Sequence, residues 1–282
     1  MRILKTRVPL FSIIPLIFSL NVQLIAQSPA MYTGKVVDVD DGSHLVYVNI
    51  GIIGRNIGTV SDLNGNFSIE LQEKFNNDSL RFSTVGYRSK TFLVREFKAR
   101  YTQGLVIQLK VKPMELHEVV VEVRELKTKI LGNKASSNNS IYDFTSYEPG
   151  NEIGSRIRIK KSPTFIDDFN FHIVVNNYDT LLLRLNFYDI KDGLPNNNLL
   201  NESILISTSV RNGDVKVDLS EYYITVYDDF IVCLEWLMQG KAEGFAVSMS
   251  LIKGTVYDRF TSQGTWTKFS FFGLGFNVTA RY

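Results

Sequence analysis

Apolar and polar residues alternate in twos through short runs, and this period constrains the fold more than any motif in the chain. In the run NFSIEL, Phe67, Ile69 and Leu71 fall on one face while Asn66, Ser68 and Glu70 fall on the other. That is the pattern of a strand with one buried and one wet face. GKVVDVD, LVYVNIGII, SLRFST, KTFLV and LVIQLK are similarly short and rich in β-branched or aromatic residues, with Gly, Asn and Asp between them. Helical periodicity is nearly absent, so the expected class is all-β, built as two consecutive antiparallel β-sandwiches. The length of 282 residues suits two domains, and an apolar fraction of 44% can fill two cores.

The first residues read as an address. Arg2, Lys5 and Arg7 precede an apolar run over 10–20, and small residues around Ala26 and Ser28 offer a cleavage site, so residues 1–26 are read as a signal peptide. Asn21 and Gln23 interrupt the run, which falls short of the roughly 20 apolar residues of a spanning helix. The expectation is export, to the periplasm, the outer-membrane surface or beyond, with no membrane span in the mature chain. Cleavage would remove three of the 31 basic residues and none of the 29 acidic ones, leaving the chain about neutral. Nucleic acid needs a concentrated basic footprint and is not an expected partner. Cys233, the sole cysteine, sits in the apolar run FIVCLEWLM and reads as a lone buried thiol. No cysteine stands at the cleavage point to take a lipid.

The densest cluster of oxygen-bearing side chains is GTVSDLNGNFSIEL, with Asp62, Asn64 and Asn66 at alternate positions. A calcium loop of the EF-hand type needs a glycine where Phe67 stands, a later bidentate Glu and flanking helices. The residues fit a tight hairpin turn better. Asn64 and Gly65 supply the positive φ angles, and Asp62 accepts backbone N–H bonds.

The same residues carry a resemblance. GKVVD, then VNIGIIGRNIGTVSDLNGNFSIEL, then DSLRFSTVGYRSKTFLV resemble the carboxypeptidase-regulatory-like β-sandwich at the front of many exported and outer-membrane proteins of Bacteroidota type, over residues 32–112. Val46 departs from the family, which usually enters the second strand through a proline-containing turn. The resemblance implies a transthyretin- or immunoglobulin-like sandwich over residues 31–112. The label implies no peptidase: catalytic zinc needs three protein ligands, and His44, His117 and His172 are widely separated with no HxxE or HExxH arrangement. ELHEVVVEV, residues 115–123, lies where receptor-fused relatives lead toward a TonB-dependent plug, but alternating Val119, Val121 and Val123 read as a terminal strand. A TonB-dependent barrel of around 22 strands does not fit in what remains.

Residues 113–139 are therefore read as terminal strand and linker, the polar KTKILGNKASSNN stretch forming the linker proper. Strands then resume over 140–282, where Phe169, Phe171, Ile173 and Val175 share one face and Leu181, Leu183, Leu185 and Phe187 another. LGNK, KKSPTF, DFNFHI, RLNFYDIKDGLP, DDFIVCLEWL and TSQGTW resemble the C-terminal half of small exported proteins with the same front domain. The pattern points to a jelly-roll-like second sandwich.

Chemistry is sparse. The chain has no GxSxG elbow, no GxxxxGK[ST] phosphate loop and no GxGxxG between strand and helix. Adjacent carboxylates at Asp40 and Asp41, Asp167 and Asp168, and Asp228 and Asp229 are the candidates for structural calcium, or for acid–base work, against the simpler role of bonding backbone in turns. No other cofactor is expected. Trp266, in TSQGTWTK, and the strand-start pair Tyr222 and Tyr223 are the candidates for stacking on a sugar ring, whereas Trp236 reads as core. The reading is a non-catalytic exported protein of the cell envelope that binds a glycan or an envelope protein, or gives structural support. The alternatives are a small outer-membrane barrel in the second half, since GFNVTARY alternates and ends in an aromatic, and a hydrolase.

Overall fold

The computed structural model describes residues 30–101, 104–113, 126–239, 244–252 and 254–282. The expected signal peptide over residues 1–26 and the ELHEVVVEV segment lie outside the described residues.

The first sandwich packs two four-stranded sheets. One runs Asn66–Leu71, Ala30–Asp38, Leu105–Val111, Tyr87–Arg88, and the other Gly58–Val60, Asn49–Ile52, Ser79–Ser83, Lys90–Leu93. The period of two does what it promised: Phe67, Ile69 and Leu71 turn inward to meet Ile50, Phe82 and Ile107. A short helix, Val94–Arg100, closes one end of this core by burying Val94 and Phe97. One pair departs from the antiparallel expectation, because Ala30–Asp38 lies parallel to Leu105–Val111. Parallel neighbours need a long crossover, and here the rest of the sandwich supplies it.

The turn at Asp62 forms, but not as a hairpin. Asp62 Oδ1 accepts the backbone N–H groups of Asn64 and Asn66, each at 2.8 Å, and Gly65 has φ 73°. A Cβ on Gly65 would stand 2.6 Å from the Val36 carbonyl oxygen. The strands on either side belong to different sheets, since Asn66–Leu71 pairs with Ala30–Asp38 and Gly58–Val60 pairs with Asn49–Ile52. The turn is an arch between layers, a connection that alternation alone does not distinguish from a hairpin.

The second sandwich is larger. An eight-stranded sheet contains the path Ile141–Asp143, Phe245–Ser250, Thr164–Asn176, Asn277–Arg281, Thr128–Gly132. The facing seven-stranded sheet contains Leu194–Asn198, Leu181–Lys191, Phe230–Trp236, Glu152–Ile157, Thr255–Arg259, Trp266–Ser270. The chain passes repeatedly from one layer to the other, giving a second sandwich of antiparallel sheets. The linker reading of residues 127–139 needs correction: Thr128–Gly132 is an edge strand paired along Asn277–Arg281. It buries only Leu131, which is why its composition looked like a connector. Val278 and Ala280, which a membrane barrel would turn to lipid, are both 0% exposed in the core. Trp236 is core as well, ringed by Phe144, Tyr147, Tyr178 and Phe245.

Candidate functional site

The seven-stranded sheet has little wet surface on its middle strands. Leu183, Leu185, Phe230, Val232 and Leu234 fill its inner face. Its outer face carries a row of side chains in register across neighbouring strands. Arg184 stands opposite Glu235, Glu235 opposite Glu152, Glu152 opposite Arg259, and Arg259 opposite Trp266. All four charged residues are buried. Two carboxylates directly opposite one another repel, so each needs its own cation. Arg184 donates from Nε at 2.8 Å and from Nη2 at 2.6 Å to the Glu235 carboxylate, which also accepts from Asn186 Nδ2 at 2.7 Å. Arg259 pairs with Glu152, which accepts a further bond from the Tyr188 hydroxyl at 3.1 Å.

Burial sets the electrostatics. It pushes the Glu152 carboxyl up, against the pull of Arg259 and with a further push from Glu235, to about 7. Burial also pushes Glu235 upward, but Arg184 and Asn186 bring it below the ordinary carboxylate value. For both arginines burial acts against the charge, yet the facing carboxylates win and hold them above the ordinary guanidinium value. Cys233, on the same face, is pushed well up by burial, which removes the thiolate that reactivity needs.

The first sandwich helps cover this face. Arg184 donates its remaining Nη1 to the Tyr47 carbonyl at 2.7 Å. Beside it Tyr47 and Val60 pack on Leu182 and Leu237. The turn around Ser262 then seats on the strands of the first sandwich, where Gly51 and Gly58 leave room: a Cβ at either would lie 2.3 Å from the Ser262 carbonyl oxygen. Gln263 donates to Ser83 Oγ at 2.8 Å, and Thr265 Oγ1 to the Gly54 carbonyl at 3.0 Å.

The aromatic candidates do not share a surface. Trp266 ends the charged row, half-buried, with the Arg259 guanidinium 4.7 Å from its ring centroid and Tyr188 edge-on at 5.8 Å. Tyr222 packs against the main core of the second sandwich. Tyr223 is 87% exposed, with φ 48°, after the turn Ser220–Tyr222 beside the eight-stranded sheet. The carboxylate pairs are engaged separately. Asp167 takes Arg281, Asp168 takes Lys216, and Asp229 takes Arg156. Asp41 caps Ser43, and the Asp40 N–H is held by Asp38. No group of three or more His, Cys, Asp or Glu able to hold a metal occurs among the described residues.

Sequence reasoning missed a cleft of about 790 Å3 between the sandwiches. Lys35, Asp62 and Asn66 line one wall, and Tyr147, Glu148 and Gln239 the other. Asp62 thus turns out to face a cleft as well as hold a turn. A second depression of about 800 Å3 lies on the second sandwich alone, lined by Arg156, Lys160 and Lys161 together with Asp189, Asp228 and Asp229. The signal that could have revealed the buried row was the lone charge in each of two apolar runs, Arg184 in LLLRLNF and Glu235 in FIVCLEWLM.

Compared with known proteins, residues 32–121 match the CarboxypepD_reg-like domain family. The first sandwich is a CarboxypepD_reg-like domain. Its match runs beyond the residue 112 limit expected from sequence. The chain is also 35% identical over 89 residues to the TonB-dependent receptor P3 of Formosa agariphila, a stretch that is 32% of this chain and 8% of that receptor. The chain therefore spans a small fraction of this relative's length. Among solved structures, the major pilin subunit of Bacillus cereus and an alanine variant of it align at 12% and 13% identity over 89% of this chain and 69% of theirs. Their TM-scores of 0.19 are too low to carry an argument.

Proposed function

We propose that the protein is a non-catalytic exported module of the cell envelope, in which a CarboxypepD_reg-like domain and a jelly-roll-like sandwich together bind a polar partner, a glycan or an envelope protein segment, in the cleft between them. The observation that carries this reading is the cleft wall itself. Side chains that donate and accept hydrogen bonds face each other across the junction, and Tyr147 adds an aromatic surface held in place by its hydroxyl, whose one proton is shared between the Asp143 carboxylate oxygens at 2.8 and 2.9 Å. Apolar surface with a few convergent polar groups marks most small-molecule pockets, and here Phe67, Leu105 and Val106 line the cleft beside Lys35, Asp62, Glu148 and Gln239, which suits a ligand with both an apolar face and hydroxyl or amide groups, such as a sugar or a peptide. The similarity to part of a TonB-dependent receptor supports an envelope setting. Non-catalysis is supported by the engagement of Asp167, Asp168 and Asp229 in separate ion pairs and of Asp41 in a turn.

The test is a glycan array, together with cross-linking to an envelope fraction, on the exported protein and on a Glu148→Ala/Gln239→Ala variant. Both positions are exposed, so melting should be unchanged while binding falls at least tenfold. Binding that survives the double substitution contradicts the cleft assignment. A parallel Trp266→Ala variant separates the two glycan surfaces, because only binding through Trp266 would be lost in it.

A further inference from the structure

At one edge of the second sandwich two loops carry large apolar side chains that are exposed among the described residues. Pairing of Ser250 with Gly273 and Thr255 with Ser270 brings the loop after Ser250 against the turn before Gly273. Leu251 and Ile252 lie in the first loop, and Phe271 and Phe272 in the second, with Phe269 just before it. Ile252 is 80% exposed and Phe271 76%, the most exposed of the group.

Phe271 has φ 80°, a left-handed backbone in which glycine is the unstrained choice and a bulky residue stores strain. A ring so exposed adds little to the core. The fold alone would place glycine there, so the ring points to a use outside the fold. Charge narrows that use. From residue 249 to 275 Asp258 is the sole acidic residue, and it is 3% exposed. Lys268 is exposed on the strand leading to the second loop. An exposed apolar tip whose own segment, residues 249–275, carries no exposed acid matches an anionic lipid interface, where aromatic and aliphatic side chains enter the headgroup boundary and basic ones meet the surface potential.

We propose that these two loops form a membrane-surface contact, inserting Ile252 and Phe271 into the interface of a bilayer bearing anionic lipid. The contact is peripheral, adds no span, and is independent of the cleft between the sandwiches.

The test is sedimentation of the protein with vesicles of equimolar phosphatidylglycerol and phosphatidylcholine, and with vesicles of phosphatidylcholine alone. Wild type, Phe271→Gly and Ile252→Ser/Phe271→Gly are compared in the same chain, so any pull from the apolar run over residues 10–20 is common to all three. Partition into the anionic vesicles should exceed that into the neutral ones and fall as salt is raised. It should drop about tenfold or more in the double variant, because two large apolar side chains no longer leave water. Phe271→Gly relieves the backbone, so its melting temperature should hold or rise while its partition falls. Equal partition of wild type and double variant overturns the proposal, as does no partition of the wild type. A wild type that self-associates through these loops, with a monomeric double variant and no vesicle binding, overturns it in favour of a second copy of the chain.

Discussion

The two sandwiches handle charge in opposite ways. In the CarboxypepD_reg-like domain the ion pairs ride on the surface, as in Arg55 with Asp78, whose side chains are 53% and 26% exposed. In the second sandwich a row of four charged residues crosses the sheet with Arg184 and Glu235 at 1% and 0% side-chain exposure. The difference follows from what each sheet faces. A sheet with one wet face can leave charge in water, whereas a sheet buried on both faces must pair every charge it keeps. Removing one member then leaves the other desolvated and alone.

Breaking the buried row should have the largest effect. Arg184→Met strands the Glu235 carboxylate and frees the Tyr47 carbonyl, and should cost about 3–5 kcal/mol in denaturant unfolding. A loss below about 1 kcal/mol would mean that water reaches this face.

Next comes the arch of the first sandwich. Gly65→Val combines a left-handed backbone with a Cβ placed 2.6 Å from the Val36 carbonyl oxygen, and should cost about 1–3 kcal/mol. Because Asp62 holds backbone N–H groups there, a chelator should leave the melting curve in place. A large chelator-dependent loss would restore the calcium reading.

The buried row should also make stability depend on pH. Glu152 titrates in the folded chain at about 7, above its unfolded value near 4.3. The folded state therefore binds this proton more tightly, so the contribution is present below pH ~4.3 and lost as pH rises through about 7. The loss should be on the order of 1–3 kcal/mol, and Glu152→Gln should flatten that part of the melting-temperature profile. A slope unchanged in the variant would place the titration elsewhere. Smallest of all, Arg55→Met should cost under about 1 kcal/mol, which sharpens the contrast with Arg184.

The sequence made faces legible more readily than partners. Phe67, Ile69 and Leu71 point inward as their alternation requires, and so do Leu181, Leu183, Leu185 and Phe187. Alternation says which side of a strand is buried and nothing about which strand lies beside it. That is why the turn at Asp62 looked like a hairpin, and why Thr128–Gly132, burying one side chain, looked like a linker. Arg184 and Glu235 lie 51 residues apart, and their pairing follows from register across a sheet whose order no local pattern encodes. The cleft was invisible for a related reason, since its walls belong to different sandwiches. Trp266 stood out by its polar neighbours, and those neighbours, Gln263 and Thr265, bond the first sandwich.

The central claim is that the two sandwiches are held as one unit by the outer face of the seven-stranded sheet. Differential scanning calorimetry tests it most directly, on the wild type and on Gly51→Val, whose added side chain would collide with the Ser262 carbonyl oxygen 2.3 Å from the Cβ position. The wild type should unfold in a single cooperative transition and the variant in two, the sandwiches melting separately. Two resolved transitions in the wild type, unmoved by Gly51→Val, would contradict the claim.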